Sequence, residues 1–248
     1  MSDQSPASMH PRSFNLRRMV ASIPGARSTW HLGRSLRDMW LDSSEYSQIK
    51  LRREFAQTDP WRYSTDELQL VRRNGELAML DRVRGIHRFS RALELGCAEG
   101  IFTEYLADRC DSLLAAEFNE VALGRARERC QRAAQVQFAS FDLRAEPIPG
   151  VFDIIMAIHI LEYIQNPIRL RRIRKKIIAA MKPGGYLLLG CVSFKSPNED
   201  AWWSQYLLRG GKQINSFFAQ HPQLTLVDSA IHPLGDCDSL DILLRKVQ

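Results

Sequence analysis

The chain has 248 residues, 45% apolar and 25% charged, with 14 Gly and 11 Pro. These are the proportions of one sizeable globular domain with a short appendage, and they exclude collagenous, coiled-coil and largely disordered readings. The longest uncharged apolar stretch, around 154–161, is broken by His159 and falls far short of the ~18 to 20 residues that a bilayer span requires.

The net charge of +6 is gathered at the front. Residues 1–90 hold 15 Lys and Arg against 10 Asp and Glu, and residues 91–248 hold 19 against 18, so the excess says little about the main domain's ligand. Cys97, Cys110, Cys130, Cys191 and Cys237 are scattered, with no C-x-x-C pair and no His at zinc-ligand spacing. Free thiols, a reducing cytoplasmic setting and no metal site are the expectation.

Residues 1–37 carry six Arg, seven Ser and a single acid, Asp3, with Pro6, Pro11 and Pro24 interrupting any long helix. Residues 1–45 are therefore expected to be a basic, mostly disordered lead-in, with a composition shared by organellar transit peptides. Residues 46–90 are expected to form a helical arm. Asp59-Pro60-Trp61-Arg62-Tyr63 reads as a turn, after which Ser64 or Thr65 can cap a helix that opens on Asp66 and Glu67 and carries Leu68, Val71, Leu77 and Leu80.

The main domain, 91–248, alternates. Strands are expected at 91–95, 112–116, 136–139, 152–158 and 186–192, separated by helices at 99–107, 120–134 and 167–181, the last stopped by Lys182-Pro183-Gly184-Gly185. That order indicates a parallel, doubly wound sheet covered on both faces. Two further strand candidates, 224–228 and 239–246, lack an intervening helix and suggest an antiparallel hairpin closing the sheet.

The chemistry starts at Glu94-Leu95-Gly96-Cys97-Ala98-Glu99-Gly100, where a strand ends in an acid and enters a loop of small residues that opens a helix. Backbone can there approach a nucleotide-like ligand lying over the sheet's carboxyl edge. A dinucleotide site needs G-x-G-x-x-G so that a pyrophosphate can sit on the helix N-terminus, but position 98 is Ala and position 103 is Thr. Glu94 would repel a pyrophosphate and suits a cationic ligand carrying an amino group or sulfonium. S-adenosylmethionine is thus expected in place of a nicotinamide dinucleotide. Glu117, 23 residues further on at the next strand end, is placed to take the two ribose hydroxyls. Asp142, after the third strand, can accept from an adenine amino group while Phe141 or Leu143 covers the ring.

These residues, with Gly124-Arg125-Ala126, Phe152-Asp153 and Pro183-Gly184-Gly185-Tyr186, resemble the class I S-adenosylmethionine-dependent methyltransferases, and among them the NodS-like branch, over roughly residues 58–248. The resemblance implies an α/β Rossmann-like, doubly wound, seven-stranded and mostly parallel sheet with an antiparallel last strand. It also implies cofactor contacts, which we assign to Tyr63, Glu94, Gly96, Cys97, Ala98, Gly100, Glu117, Phe118, Asp142, Leu143 and Ala157. Tyr63 belongs to the turn from which relatives close an aromatic residue over the cofactor.

Methyl transfer is an in-line displacement, so the protein aligns the nucleophile and removes its proton where needed. His159, just past the fourth strand, is the candidate base; a histidine merely hydrogen-bonded at a strand end is the equal alternative. Relatives carry Glu there. Glu162 reads as a helix-dipole partner rather than a catalytic group. Trp202, Trp203 and Tyr206 can form a lid over a sugar or aromatic acceptor, or simply pack; relatives place a His shortly after the corresponding Trp, and here Gln205 is nearby instead, a departure that counts against an amino-sugar acceptor. The run Arg169, Arg171, Arg172, Arg174, Lys175 and Lys176 reads as the solvated face of a crossover helix whose Ile168, Ile173, Ile177 and Ile178 meet the sheet, which disfavours a nucleic-acid partner. The expected activity is methyl transfer to N or O of a small molecule or saccharide. The alternative is a non-catalytic cofactor-binding partner or regulatory protein.

Overall fold

The computed structural model describes residues 49, 51–164, 166–194 and 210–247; the lead-in, Trp202, Trp203, Gln205 and Tyr206 lie outside the described residues. Seven strands form one sheet in the order β3-β2-β1-β4-β5-β7-β6. They are β1 Ala92–Leu95, β2 Leu113–Glu117, β3 Val136–Ser140, β4 Phe152–Ile158, β5 Met181–Phe194, β6 Leu224–Pro233 and β7 Cys237–Lys246. The first five pair in parallel and β7 runs antiparallel to both β5 and β6. The expected hairpin therefore closes the sheet, with longer strands than expected and with its second strand inserted beside β5.

Helices cover both faces, and the strands alternate between them, as a period of two requires. Leu93, Leu95, Ile155, Ala157, Leu187 and Leu189 pack on α4 (Pro167–Ala180) and α5 (Gly211–Ala219). Ala92, Ile154, Met156, Leu188 and Leu243 face the opposite way, toward α1 (Glu67–Arg84) and α2 (Ile101–Ala107). Ala115 meets Leu123 and Ala126 of α3 (Glu120–Arg129). Each fully buried Leu, Ile or Phe in these layers stabilises the fold by about 1.5 to 3 kcal/mol. Among the described residues no helix is long and apolar enough to cross a membrane, and none of the five cysteines joins a disulfide.

Several local expectations are corrected. The cap of α1 is Asp66, which accepts from the amides of Leu68 and Gln69 at 3.0 and 3.3 Å, rather than Ser64 or Thr65. Leu68 and Val71 on that helix are 42% and 55% exposed, while Arg72, Arg73 and Glu76 are buried beside Leu77 and Leu80. Lys182-Pro183-Gly184-Gly185 does not delay β5, which begins at Met181 and absorbs the tetrapeptide as a register shift against β4. On α4, Asn166 caps and Pro167 opens the helix; Leu170, Ile173 and Ile177 face the sheet, whereas Ile168 points out. Helix α5 was not anticipated, because its short apolar run follows the tryptophan segment without a clear stop signal.

Candidate cofactor and catalytic site

A cavity of about 170 Å³ opens over the carboxyl ends of β1, β2 and β4, the position that the topology of a doubly wound sheet favours. Of the expected residues, Tyr63, Glu94, Gly96, Cys97, Ala98, Glu117, Phe118, Asp142, Leu143 and His159 line it. Two do not. Gly100 serves packing: a Cβ there would come within 3.0 Å of the Ala126 backbone, so its lack of a side chain lets α2 lie against α3. Ala157 points to the α4 side of the sheet, because the alternation that sends Met156 and Ile158 into the cavity sends Ala157 into the core.

Two carboxylates define the cavity's chemistry. Glu94, the penultimate residue of β1, is buried, and its Oε2 accepts from Thr103 Oγ1 of α2 at 2.6 Å. Burial raises its carboxyl to about 7; the Thr103 hydrogen bond opposes this and the neighbouring Glu117 adds to it. Glu117 ends β2. Its Oε1 accepts from the amides of Phe118 and Asn119, both at 2.9 Å, and its Oε2 from the amide of Ala98 at 3.1 Å. Burial pushes this carboxyl up as well, against the pull of those three donors. One side chain thereby ties the loop after β1 to the start of α3, whose first turn is capped by Asn119.

Around these acids the loop is held close. Gly96 has φ +75° and a Cβ there would lie 2.3 Å from Ile160 Cγ2, while Ala98 adopts φ +47° although it is not glycine. Segment 55–63 crosses the cavity rim: the Asp59 amide donates to Glu99 Oε2 at 2.6 Å, and Arg125 binds Glu99 together with the carbonyls of Phe55 and Gln57. Trp61 and Tyr63 sit on that segment with ring centroids 5.6 Å apart. On the far side Asp142 is gripped by Arg144, whose Nε and second guanidinium nitrogen each donate to it at 2.8 Å. Partial burial raises the Asp142 carboxyl, but the Arg144 hydrogen bonds and charge outweigh it and the net shift is downward. Asp142 thus lines the cavity already engaged, a partner that the sequence reading did not foresee.

His159 follows β4 with φ +54°, its amide donating to the Gly190 carbonyl at 2.8 Å and its Nε2 lying 2.7 Å from Ser239 Oγ. Burial, with the nearby Arg72 charge, holds its imidazole well below the usual histidine range, so the ring is neutral. Glu162 is in a 3-10 turn, Leu161–Tyr163, and its Oε1 accepts from the Val192 amide at 3.2 Å; it does not serve the dipole of α4. Burial raises it to about 7.

Sequence reasoning missed the charged stripe of α1 and the polar pair Ser239 and Asp241 of β7, all buried behind His159. The available signals were the i, i+4 pair Arg72 and Glu76 sharing a stripe with Leu80, and two polar residues spaced by two within the apolar run of β7.

The residues fit a cationic nucleoside ligand: buried acids stand at consecutive strand ends, backbone approaches closely at Gly96, and no lysine or arginine takes the carboxylate of Glu94 or Glu117 in any described hydrogen bond. The comparisons agree. The family model for nodulation protein S (NodS) matches residues 43–200. Nodulation protein S of Rhizobium tropici is 28% identical over 225 residues, 88% of this chain and 90% of that protein. A ubiquinone biosynthesis O-methyltransferase of Pseudomonas aeruginosa is 27% identical over 106 residues, 42% of this chain and 44% of its own. The crystal structure of the N-methyltransferase NodS from Bradyrhizobium japonicum WM9 in complex with S-adenosyl-L-homocysteine matches with a TM-score of 0.71 and 26% identity, over 82% of this chain and 99% of that one. With more than half its length matched by the family model and its sheet carrying the same architecture, the chain belongs to the NodS family of S-adenosylmethionine-dependent methyltransferases.

Proposed function

We propose that the protein methylates a nitrogen or oxygen of a small molecule or saccharide that enters beside His159, with His159 as the general base. The observation that carries the cofactor half of this reading is the pair of buried carboxylates, Glu94 and Glu117, on one cavity wall. Glu94 would take the cationic amino-acid end of S-adenosylmethionine and Glu117 its ribose, with Gly96, Cys97 and Ala98 supplying backbone and Tyr63, Phe118, Asp142 and Leu143 enclosing the nucleoside. When bound, the cofactor supplies a sulfonium-activated methyl carbon. The chain's own part is to exclude water with the 55–63 segment, hold the acceptor in line and accept its proton on a neutral imidazole.

The relative solved with S-adenosyl-L-homocysteine is an N-methyltransferase, which supports a saccharide or small-molecule amine as the first acceptor class to try. Five cysteines without a disulfide support a cytoplasmic, reducing setting.

Calorimetric titration with S-adenosylhomocysteine, followed by labelled methyl transfer across a panel of amino sugars, chitosan oligosaccharides, primary amines and alcohols, tests the reading. Micromolar binding lost in the Glu94→Gln, Glu117→Gln double variant, with turnover on at least one acceptor lost in His159→Ala, is the expected result. Binding without turnover on any acceptor would remove the catalytic half.

A further inference from the structure

Behind His159 lies a buried polar cluster. Ser239 and Asp241, two residues apart on β7 and fully buried, point to the α1 face of the sheet. Ser239 Oγ stands 2.7 Å from His159 Nε2 on one side and 2.7 Å from Asp241 Oδ1 on the other. Glu76 and Arg72, paired on α1, close the cluster from above, and His232 of β6 brings its Nε2 to 3.3 Å from Asp241 Oδ2. Room for this convergence comes from β5, where a Cβ on Gly190 would lie 2.7 Å from Asp241 Oδ1 and 3.5 Å from Glu76 Oε1. Glu76, His159 and Asp241 offer ligand atoms within 4.8 Å of one another. Arg72 already pairs with Glu76, and Ser239 already engages both His159 Nε2 and Asp241 Oδ1, while Glu76 Oε2 and Asp241 Oδ2 are buried without a hydrogen-bond partner.

The direction of the hydrogen bonds follows from the donor inventory. Burial raises the Asp241 carboxyl, against the Ser239 hydrogen bond and the Arg72 and His232 charges. In its ionised form it can only accept, and serine has a single O–H, so the Ser239 proton then goes to Asp241 and an oxygen lone pair is left for His159. His159 must then carry its proton on Nε2, which leaves the Nδ1 lone pair as the ring nitrogen outside the relay, on a residue that lines the cavity. We infer that Ser239 and Asp241 are positioning residues that fix His159 as its Nε2–H tautomer and so make Nδ1 the atom that receives the acceptor's proton. In the step itself the acceptor's N–H or O–H proton passes to Nδ1 and the acceptor atom takes the methyl carbon, whose bonding pair stays on sulfur. The imidazolium so formed keeps its Nε2–H donated to Ser239, with Asp241 behind it, and loses its proton to solvent on product release.

The inference rests on His159 being the base, and the test separates the two. Nitrogen-15 NMR of histidine-labelled protein saturated with S-adenosylhomocysteine reads the tautomer without any acceptor; the Nε2–H signature is expected for His159 and is expected to be lost or mixed in Ser239→Ala. With an acceptor taken from the panel above, Ser239→Ala is expected to lower kcat at least tenfold with the cofactor Kd and the acceptor KM within twofold of the parent. Ser239→Thr, which keeps the hydroxyl, is expected to recover most of it, and Asp241→Asn to displace the acid limb of the kcat profile. That limb is to be read with Arg72, Glu76, Glu162, His232 and Tyr63 in mind, since all surround the ring or its relay. An Nδ1–H tautomer, or a Ser239→Ala variant with parental kcat and pH profile while His159→Ala is inactive, overturns the relay and leaves the base standing. Parental turnover in His159→Ala overturns both.

Discussion

Thr103 on α2 donates to Glu94 at the end of β1, and it is the only side-chain donor that the described hydrogen bonds give this buried carboxylate. One hydroxyl does not offset the loss of water, and burial holds the group at about 7 against an ordinary 4.5. In the unliganded protein the folded chain therefore keeps a proton that the unfolded chain releases between pH 4.5 and 7, so this group's contribution to stability falls as pH rises through that window. A cationic ligand needs the carboxylate, so its affinity runs the other way. We expect the Kd for S-adenosylmethionine to fall by up to about tenfold per pH unit as pH rises toward 7 and then to level off. Titration in buffers of different ionisation heat should show proton release on binding below pH 7. Glu94→Gln should remove Glu94's share of that release and leave only the part due to Glu117; an unchanged release would detach Glu94 from the ligand.

Lys176 on the supposedly solvated face of α4 reaches back to the loop after β3. Its Nζ donates to the carbonyls of Leu143, Arg144 and Glu146 at 3.0, 3.4 and 2.7 Å. These bonds fix the loop that presents Asp142 and Leu143 to the cavity, so Lys176 positions residues expected at the adenine end without touching the ligand. Lys176→Met keeps the aliphatic stem and removes the three donors. Such charge-assisted bonds are worth roughly 1.5 to 3 kcal/mol each when buried, and less here because the head is partly exposed. We expect cofactor Kd to rise by about three- to tenfold with kcat at saturating cofactor unchanged, measurable by titration and initial rates side by side. Arg171→Met, an exposed neighbour on the same helix, should leave both parameters where they were.

What the sequence made legible follows a physical divide. Glu94 and Glu117 could be found because each ends an apolar strand, and the strand order then places both over the same sheet edge. The inward face of α1 could not be found by hydrophobic periodicity, because Arg72, Arg73 and Glu76 are buried by pairing and by stacking, Arg73 lying 4.2 Å from the Tyr105 ring centroid, rather than by being apolar. The same blindness hid Asp241, whose burial depends on Ser239 and on groups from α1 and β6 that are close only after folding. Ala157 lies off the cavity for a simpler reason: a single-residue step along β4 changes which face a side chain occupies.

Ala98 occupies the left-handed region, φ +47°, at the point where its amide meets Glu117. A β-carbon there costs of the order of 1 to 2 kcal/mol relative to an unstrained residue, and glycine carries no such cost. Glycine loses more backbone entropy on folding, by about 0.5 to 1 kcal/mol, which offsets part of the gain. Ala98→Gly should therefore be neutral to mildly stabilising, by up to about 1 kcal/mol in denaturant unfolding, with cofactor binding retained. A loss of stability beyond 1 kcal/mol would mean that the Ala98 methyl contributes through its packing beside Leu51, Phe55 and Ala122 more than its backbone costs.

Gly96 presents the opposite case. At φ +75° any L side chain is strained, and a Cβ would also meet Ile160 Cγ2 at 2.3 Å, in the segment that leads from His159 into the 3-10 turn. Gly96→Ala must therefore displace either the loop that follows Glu94 or the Ile160 side chain, and both border the cavity. We expect the variant to remain folded with stability lowered by about 2 to 3 kcal/mol and cofactor affinity reduced tenfold or more. Adding Ile160→Ala separates the two causes, since it makes room for the methyl group without changing the backbone requirement. If the double variant recovers most of the affinity but little of the stability, steric entry at Ile160 governs binding and φ governs folding. If Gly96→Ala alone binds cofactor like the parent, close backbone approach at this loop is not part of the site.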